Sequence, residues 1–252
     1  MFSLGQVTLF ALMAISVSAI YRPVKKHYDT APCPPPRPPP RPPTRPPTRR
    51  TTTTTTTTTT PPPPPTCPSG WNTWDRVDSN NQNVRHCVKL ITNSSAWAIS
   101  DASNACAKEL SGAHLTVYTS EAEKNWLASN AVTALASIGQ PRGSVAVNGN
   151  RKAVCITEDP AILNGDQCQW WNLYTVSDAI NTEYTFNNWG PGEPNYAHFD
   201  GNVETCLQVT INAEDSSLHG ALNDFYCDFN AAPEKPDEIL YMSFLALCGR
   251  KL

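Results

Sequence analysis

The sequence is poor in the signatures of zinc-binding and catalytic proteins. None of its nine cysteines forms a Cys-x-x-Cys pair, and no histidine lies near them at zinc-finger spacing, which argues against structural zinc. It contains no Gly-x-Ser-x-Gly, no His-Glu-x-x-His and no distinctive Cys-His motif. Because a hydrolase needs a paired nucleophile and base, we expect that this chain is not an enzyme.

Basic residues are scarce in most of the chain. Residues 67–252 contain 11 Lys and Arg against 21 Asp and Glu, a net charge of −10, whereas residues 1–66 contain eight basic residues and one acid. So acidic a region repels phosphate backbones, and we expect no nucleic-acid partner. It suits cations and neutral ligands better.

Long apolar runs are also lacking. Val7–Val17 is mostly apolar and is followed by the small residues Ser18 and Ala19, which predicts a signal peptide at residues 1–19. A membrane anchor is the less favoured alternative, because this run is too short to span a bilayer comfortably and no later segment is long enough to try. Nine cysteines favour the same setting, since disulfides persist outside the cell. The sequence therefore predicts a secreted, extracellular protein without a stable membrane anchor.

Residues 20–66 predict a disordered Pro/Thr-rich stalk. Pro34–Pro47 carries periodic arginines, Thr51–Thr60 is unbroken threonine and Pro61–Pro65 follows. Such a segment has no apolar side chains whose burial would offset its ordering entropy, and its prolines favour an extended path. The threonines are candidates for O-glycosylation, and a plain spacer is equally open. Cys33 is the odd cysteine, for which a disulfide-linked dimer and a mixed disulfide with a small thiol are the two alternatives.

The remaining residues, 67–252, predict one α+β domain. Ser120 and Glu123 form a capping box that begins a helix through about Ala136, and a second helix is expected over Ser100–Leu110. Strand-like runs are expected in four places: Val84–Ile91, Val203–Ile211, Leu222–Asp228 and Ile239–Leu247. The region from Gly143 to Glu193 is rich in Asn, Gly, Pro and Trp and is interpreted as a long loop, which usually carries function or needs bracing.

Five oxygen-bearing side chains cluster late in the sequence. They are Glu193, Asn195, Glu204, Asn223 and Asp224. Calcium takes six to eight oxygen ligands from carboxylates and amide carbonyls, so this set predicts a Ca²⁺ site with positions left for water or a ligand's hydroxyls. Glu193 and Glu204 could instead be a glycosidase carboxylate pair, but the neighbouring Pro194 and Asn195 suit a metal better. The isomer of the bond before Pro194 is left open.

These motifs resemble the C-type lectin domain family. The matching pieces are Trp-Gly-x-Gly-Glu-Pro-Asn at residues 189–195, Glu-x-Cys at 204–206 and Asn-Asp-x-x-Cys at 223–227. The opening Cys-Pro-Ser-Gly-Trp at 67–71 resembles the start of the long form of the domain. The resemblance covers about residues 67–252. It implies the C-type lectin fold, with two helices, small antiparallel sheets and a long loop region braced by disulfides.

The resemblance also implies pairings and roles for individual residues. The implied disulfides are Cys67–Cys87, Cys106–Cys248, Cys155–Cys168 and Cys206–Cys227. The five oxygen-bearing residues would bind calcium, and Glu193, Asn195, Glu204 and Asn223 would also hydrogen-bond two sugar hydroxyls. In this family Glu-Pro-Asn accompanies sugars with equatorial 3- and 4-hydroxyls: mannose, glucose, N-acetylglucosamine and fucose. The alternative is a domain of this fold that binds a protein ligand without sugar.

The sequence departs from the family pattern in three places, the third of which is the segment from Asn195 to Glu204. Leu222 stands where the family usually has Trp, which predicts looser packing, and the family's Trp-Ile-Gly-Leu strand is absent, with Gly143–Val147 its nearest counterpart. Tyr196 and Phe199 are candidates either for stacking on a sugar or for packing within the loop. His198 and His219 are interpreted as surface residues. Asn93 begins an Asn-x-Ser sequon and is a candidate N-glycosylation site.

Overall fold

The computed structural model describes residues 65–169, 172–199, 202–229 and 236–252. The predicted signal peptide, Cys33 and almost all of the predicted stalk lie outside these residues. The strands are β1 Asn72–Val77, β2 Asn83–Thr92, β3 His114–Leu115, β4 Gly143–Arg151, β5 Tyr174–Thr175, β6 His198–Phe199, β7 Asn202–Val203, β8 Cys206–Ile211, β9 Ala221–Phe225 and β10 Ser243–Lys251. The α-helices are α1 Ile99–Glu109, α2 Glu121–Ser137, α3 Pro160–Leu163 and α4 Glu183–Phe186. Three short 3-10 helices cover Ala153–Cys155, Asp166–Cys168 and Pro236–Tyr241.

The two longer helices begin where the sequence predicts. Ser120 caps α2, its hydroxyl accepting a hydrogen bond from the Glu123 backbone N–H at 3.3 Å, so that an otherwise unpaired donor of the first turn is satisfied. Helix α1 turns a stripe of Ile99, Ala102 and Cys106 into the core. Both helices therefore form because a capped or apolar-striped segment can bury one face.

A mixed sheet organises the domain. Its strand order is β1-β2-β10-β4-β8-β9, with β3 added beside β10 and β5 beside β4, while β6 and β7 form a separate pair. Strand β10 runs antiparallel to β2 and parallel to β4. The α+β prediction is confirmed, but the main sheet is larger than expected and includes this parallel pair.

The region interpreted as a long loop is more ordered than its composition suggested. It opens with β4, which is buried at every position but Asn150 and pairs with both β8 and β10. The remainder contains α3, α4 and β5 among irregular connections. The expected strand Ile239–Leu247 was partly wrong, because residues Pro236–Tyr241 form a 3-10 helix and the strand begins at Ser243.

An ion pair is buried between the first strand and α2. The side chains of Arg76 and Glu123 are 0% and 4% exposed, and the Arg76 Nε donates to Glu123 Oε1 at 2.9 Å. Arg76 Nη2 adds a second bond to Glu123 Oε2 at 3.1 Å and reaches the Val117 carbonyl at 2.9 Å. The Thr119 N–H also donates to Glu123, at 2.7 Å. Both charges thus have their hydrogen-bonding groups satisfied within the fold.

Four disulfides brace the domain, and they are the four pairs that the resemblance implies. Cys67–Cys87 and Cys106–Cys248 tie the first strands and α1 to the sheet. Cys155–Cys168 closes the turn after β4, and Cys206–Cys227 joins β8 to the residues after β9. Among the described residues, no helix has the length and apolar character needed to cross a membrane.

We expect the loss of Cys106–Cys248 to destabilise the domain more than the loss of Cys155–Cys168. The first closes a separation of 142 residues and the second a separation of 13. Chain entropy then gives contributions of about 5 and about 3 kcal/mol to the free energy of unfolding. Urea unfolding of the two double Cys→Ala variants measures both values. Equal losses would contradict an entropic origin.

Candidate functional site

The loop that carries Glu193 is fixed beside β9 by backbone hydrogen bonds. The Leu222 N–H donates to the Asn188 carbonyl and the Gly190 N–H donates to the Leu222 carbonyl, both at 2.8 Å. Leu222 is fully buried in the core. The looser packing expected from its replacement of Trp stays a prediction. This pairing places the loop next to Asn223 and Asp224, the two predicted ligands on β9.

Glu193 and Asn195 form a local hydrogen-bonded unit around a cis bond at Pro194. The Asn195 N–H donates to Glu193 Oε2 and its Nδ2 to Glu193 Oε1, both at 3.0 Å. The Asn195 Oδ1 accepts a bond from the Ala197 N–H at 2.8 Å. Asn195 is exposed and Glu193 is half-buried. A carboxylate and an amide oxygen are therefore presented next to each other at the surface.

Asp224 is the buried anchor of the same loop. Its side chain is 0% exposed and accepts bonds from the N–H groups of Asn195 and Tyr196, each at 3.1 Å. The Tyr174 hydroxyl donates to Asp224 Oδ2 at 3.0 Å. The neighbouring Asn223 is buried and its Nδ2 donates to the Asp224 carbonyl at 2.6 Å. Asp224 thus holds the loop by its backbone N–H groups.

Glu204 closes the cluster from the other side. It is 5% exposed, and its Oε2 accepts a bond from the Ala197 N–H at 2.8 Å. Its own N–H donates to the Ala197 carbonyl at 3.2 Å. Hydrogen bonds therefore bring Glu193, Asn195, Glu204 and Asp224 together around residues 193–197, whereas the Asn223 side chain is bonded only to the Asp224 carbonyl.

Two carboxyl groups of the cluster resist ionisation. Burial, a side-chain hydrogen bond with Asp224 and the charges of Asp224 and Glu204 raise the pKa of Glu193 to about 8. Burial also raises the pKa of Glu204 to about 7, although the bond from the Ala197 N–H acts in the opposite direction. Like charges in one partly buried site oppose each other's ionisation. A cation placed among them would remove that opposition.

Arg151, at the end of β4, is a member of the site that sequence reasoning missed. Its side chain is 4% exposed and its Nη1 lies 3.6 Å from Asp224 Oδ2. Its guanidinium carbon lies 3.6 Å from the centre of the Tyr196 ring. Tyr196 itself has a left-handed backbone, with φ of 53°. An isolated Arg between Asn150 and Lys152 has no sequence signature, and only the fold brings it to Asp224.

The side chains present fit calcium by their chemistry. They offer hard carboxylate and amide oxygens, and burial raises the pKa of two of the carboxyls, which a bound cation would offset. Within the described ranges, no group of three or more His, Cys, Asp or Glu side chains forms a ready-made metal cage. The two amides and a ligand's hydroxyls would therefore have to complete the coordination shell.

The remaining candidate residues from the sequence differ in their contacts and exposure. Tyr196 packs against Arg151 and meets the His198 ring edge-on at 4.8 Å, which favours packing within the loop over stacking on a sugar. His198 is exposed, and its Nδ1 lies 3.8 Å from the exposed Glu158. The side chain of Phe199 lies outside the described residues. Asn93 follows β2 and is half-buried.

Comparisons with known proteins agree with this architecture. A family model described as C-type lectin domain-containing protein 141/158 matches residues 73–251. The chain belongs to the C-type lectin domain family. Two C-type lectin domain-containing proteins of Caenorhabditis elegans are similar to it. Protein 141 is 30% identical over 198 residues, covering 73% of this chain and 65% of that protein, and protein 158 is 28% identical over 188 residues, covering 73% and 88%.

Solved structures of C-type lectin domains also resemble this one. The carbohydrate-recognition domain of the mouse scavenger receptor C-type lectin is 17% identical, with a TM-score of 0.40, and the match covers 73% of this chain and 96% of that one. The present C-type lectin domain spans 65% of the length of C. elegans protein 141.

Proposed function

We propose that this C-type lectin domain binds glycans through a calcium ion held by Glu193, Asn195, Glu204, Asn223 and Asp224. The observation that supports the proposal is the set of hydrogen bonds that joins Glu193, Asn195, Glu204 and Asp224 around residues 193–197, with Asn223 next to Asp224 on β9 and with two of the carboxyl pKa values raised. The ligands we propose are mannose, glucose and N-acetylglucosamine, which have equatorial 3- and 4-hydroxyls, and fucose, whose equatorial pair is at positions 2 and 3.

The five proposed ligand residues would both hold the calcium ion and orient the sugar. Bound calcium supplies a hard cation with open coordination positions for a pair of hydroxyl oxygens. Glu193 and Glu204 would accept hydrogen bonds from those hydroxyls, and the side-chain amides of Asn195 and Asn223 would donate to them. Asp224 fixes the loop by accepting the Asn195 and Tyr196 N–H bonds. This is binding chemistry, and no nucleophile or general base is required of any residue.

Retention on immobilised mannose tests the proposal. We expect the purified protein to be retained in millimolar-scale calcium and released by EDTA, because the metal bridges protein and sugar. Retention that survives EDTA, or the absence of retention on mannose, glucose, N-acetylglucosamine and fucose, would overturn it. Calcium binding by titration with no signal on a glycan array would point instead to a protein ligand.

Calcium affinity is expected to fall as the pH is lowered from 8 to 6. Glu193 and Glu204, with pKa values of about 8 and about 7, are partly protonated at neutral pH, and a carboxyl must lose its proton to bind a cation. Binding should therefore release protons at pH 7. Calorimetry in buffers of different ionisation enthalpy counts them. A proton count of zero at pH 7 would contradict this assignment of the ligands.

The extracellular setting and the multimeric state belong to the same proposal. Four disulfides within one domain support secretion, since such bonds are rare in the cytosol. Pairing of Cys33 between two chains would present two sugar sites on stalks and raise the avidity for multivalent glycans. Non-reducing mass measurement of the wild type and of Cys33→Ser decides whether that dimer forms.

A further inference from the structure

We propose that Arg151 is a fixed counter-charge within the calcium site, which matches the site to a divalent ion and holds the ligand loop against Asp224. The inference rests on the proposed function for its metal-binding part. Its effect on the loop is independent of any ligand.

The fold fixes the Arg151 side chain in this position. Arg151 follows a register shift in the pairing of β4 with β8, between Val147 and Asn150. Its Nε donates to the Cys155 carbonyl at 3.0 Å, and Cys155 is tied to Cys168 by a disulfide. The brace around residues 155–168 thus fixes the acceptor that orients the guanidinium.

The charged end of Arg151 lies beside Asp224. Its Nη1 is buried and has no hydrogen-bond partner, and it lies 3.6 Å from Asp224 Oδ2. Burying a guanidinium nitrogen in this way is costly unless its charge is compensated. Asp224 is the compensating charge that the structure places beside it.

Arg151 and Asp224 hold the ligand loop between them. Asp224 accepts the N–H bonds of Asn195 and Tyr196, and the Tyr196 ring lies over the guanidinium, 3.6 Å from its carbon atom. A cation over an aromatic face is attracted to it, and more strongly where water is excluded. The backbone next to Glu193 and Asn195 is therefore positioned from one side by a carboxylate and from the other by a cation.

The formal charges of these side chains favour a divalent ion over a trivalent one. With all three carboxyls ionised, Glu193, Glu204 and Asp224 carry −3, and Arg151 reduces the total to −2, which a divalent ion neutralises. A trivalent ion of similar size would leave an excess positive charge in a partly buried site. Without Arg151 the site would carry −3, and the preference would move towards the trivalent ion.

The ratio of two dissociation constants tests this charge matching. We would measure Kd for Ca²⁺ and for La³⁺ in the wild type, in the neutral variants Arg151→Met and Arg151→Gln, and in Arg151→Lys. Both ions need the same ordered loop, so the cost of ordering cancels in the ratio. We expect the neutral variants to shift the ratio towards La³⁺ by about tenfold or more, since one buried charge unit is removed. Arg151→Lys keeps the charge and should leave the ratio near the wild-type value.

A second measurement does not depend on any metal. In EDTA-treated protein, the N–H groups of Asn195 and Tyr196 should exchange with deuterium faster in the neutral variants than in the wild type, because Asp224 loses its counter-charge. If the wild type binds no calcium, the proposed function is wrong. The deuterium exchange rates would still test whether Arg151 holds the ligand loop. An unchanged ion ratio in a neutral variant, an equal shift in Arg151→Lys, or unchanged exchange in both neutral variants would overturn the inference.

Discussion

Replacing Glu193 and Glu204 together by glutamine is expected to abolish calcium-dependent retention on mannose and to weaken calcium binding by about 100-fold or more. The substitution keeps the size of both side chains but removes two of the three carboxylates, and calcium sites tune their affinity over several orders of magnitude by ligand charge. The half-buried Glu193 and buried Glu204 would become neutral groups that no longer oppose each other. Isothermal titration and mannose chromatography measure the two effects.

The matched control for this double variant is Glu214→Gln. Glu214 is exposed in the connection between β8 and β9, so the change removes one carboxylate without touching the site. The control should bind calcium and mannose like the wild type. The double variant should also unfold at a temperature equal to or above that of the EDTA-treated wild type, since it removes like charges. Wild-type calcium affinity in the folded double variant would show that the ion binds elsewhere.

Replacing Glu123 by alanine is expected to reduce the free energy of unfolding by about 3–5 kcal/mol, because it leaves the charge of Arg76 buried without its partner. The two side chains are 0% and 4% exposed and are joined by two hydrogen bonds. Glu123 also receives the Thr119 N–H at the start of α2, so the cap of that helix is weakened as well. Urea unfolding gives the loss directly.

The double variant Arg76→Met, Glu123→Leu isolates the ion pair from its surroundings. Because buried pairs can often be replaced by apolar residues at little cost, we expect this variant to recover most of the stability lost in Glu123→Ala. Arg85→Met, at an exposed pair with Asp75, is the control and should change the stability by less than about 1 kcal/mol. A double variant no more stable than Glu123→Ala would mean that the loss comes from the helix cap and packing instead.

Local patterns were sufficient to predict α1 and α2 and to propose the residues of the site. Ser120 and Glu123 lie three residues apart and cap α2 as expected. The residues between Trp189 and Asp224 bring carboxylates and amides together because their motifs lie on one loop and two adjacent strands. Such features depend on spacings of a few residues, which a sequence displays directly.

The features that were missed depend on pairing between distant segments. The parallel pairing of β4 with β10 joins residues about a hundred positions apart, and no periodicity within either strand indicates it. For the same reason the sequence does not indicate the role of Arg151. That role depends on its contacts with Asp224 and Tyr196, which are distant from it in the chain. Tyr196 shows the limit for single residues, because the sequence allows its ring to stack on a sugar, whereas in the structure the ring lies against the Arg151 guanidinium.

The central position of β10 has a consequence for how the chain is made. The ribosome completes β2 and β4 long before β10, yet β10 lies between them, so their inner edges stay uncovered until residues 243–251 emerge. Cys106 meanwhile waits for Cys248, 142 residues later, with Cys155, Cys168, Cys206 and Cys227 synthesised in between. An early oxidation of Cys106 would therefore trap a wrong partner. Repair of such a disulfide would require thiol–disulfide exchange, so we expect more mispaired chains from a production host that lacks a disulfide isomerase.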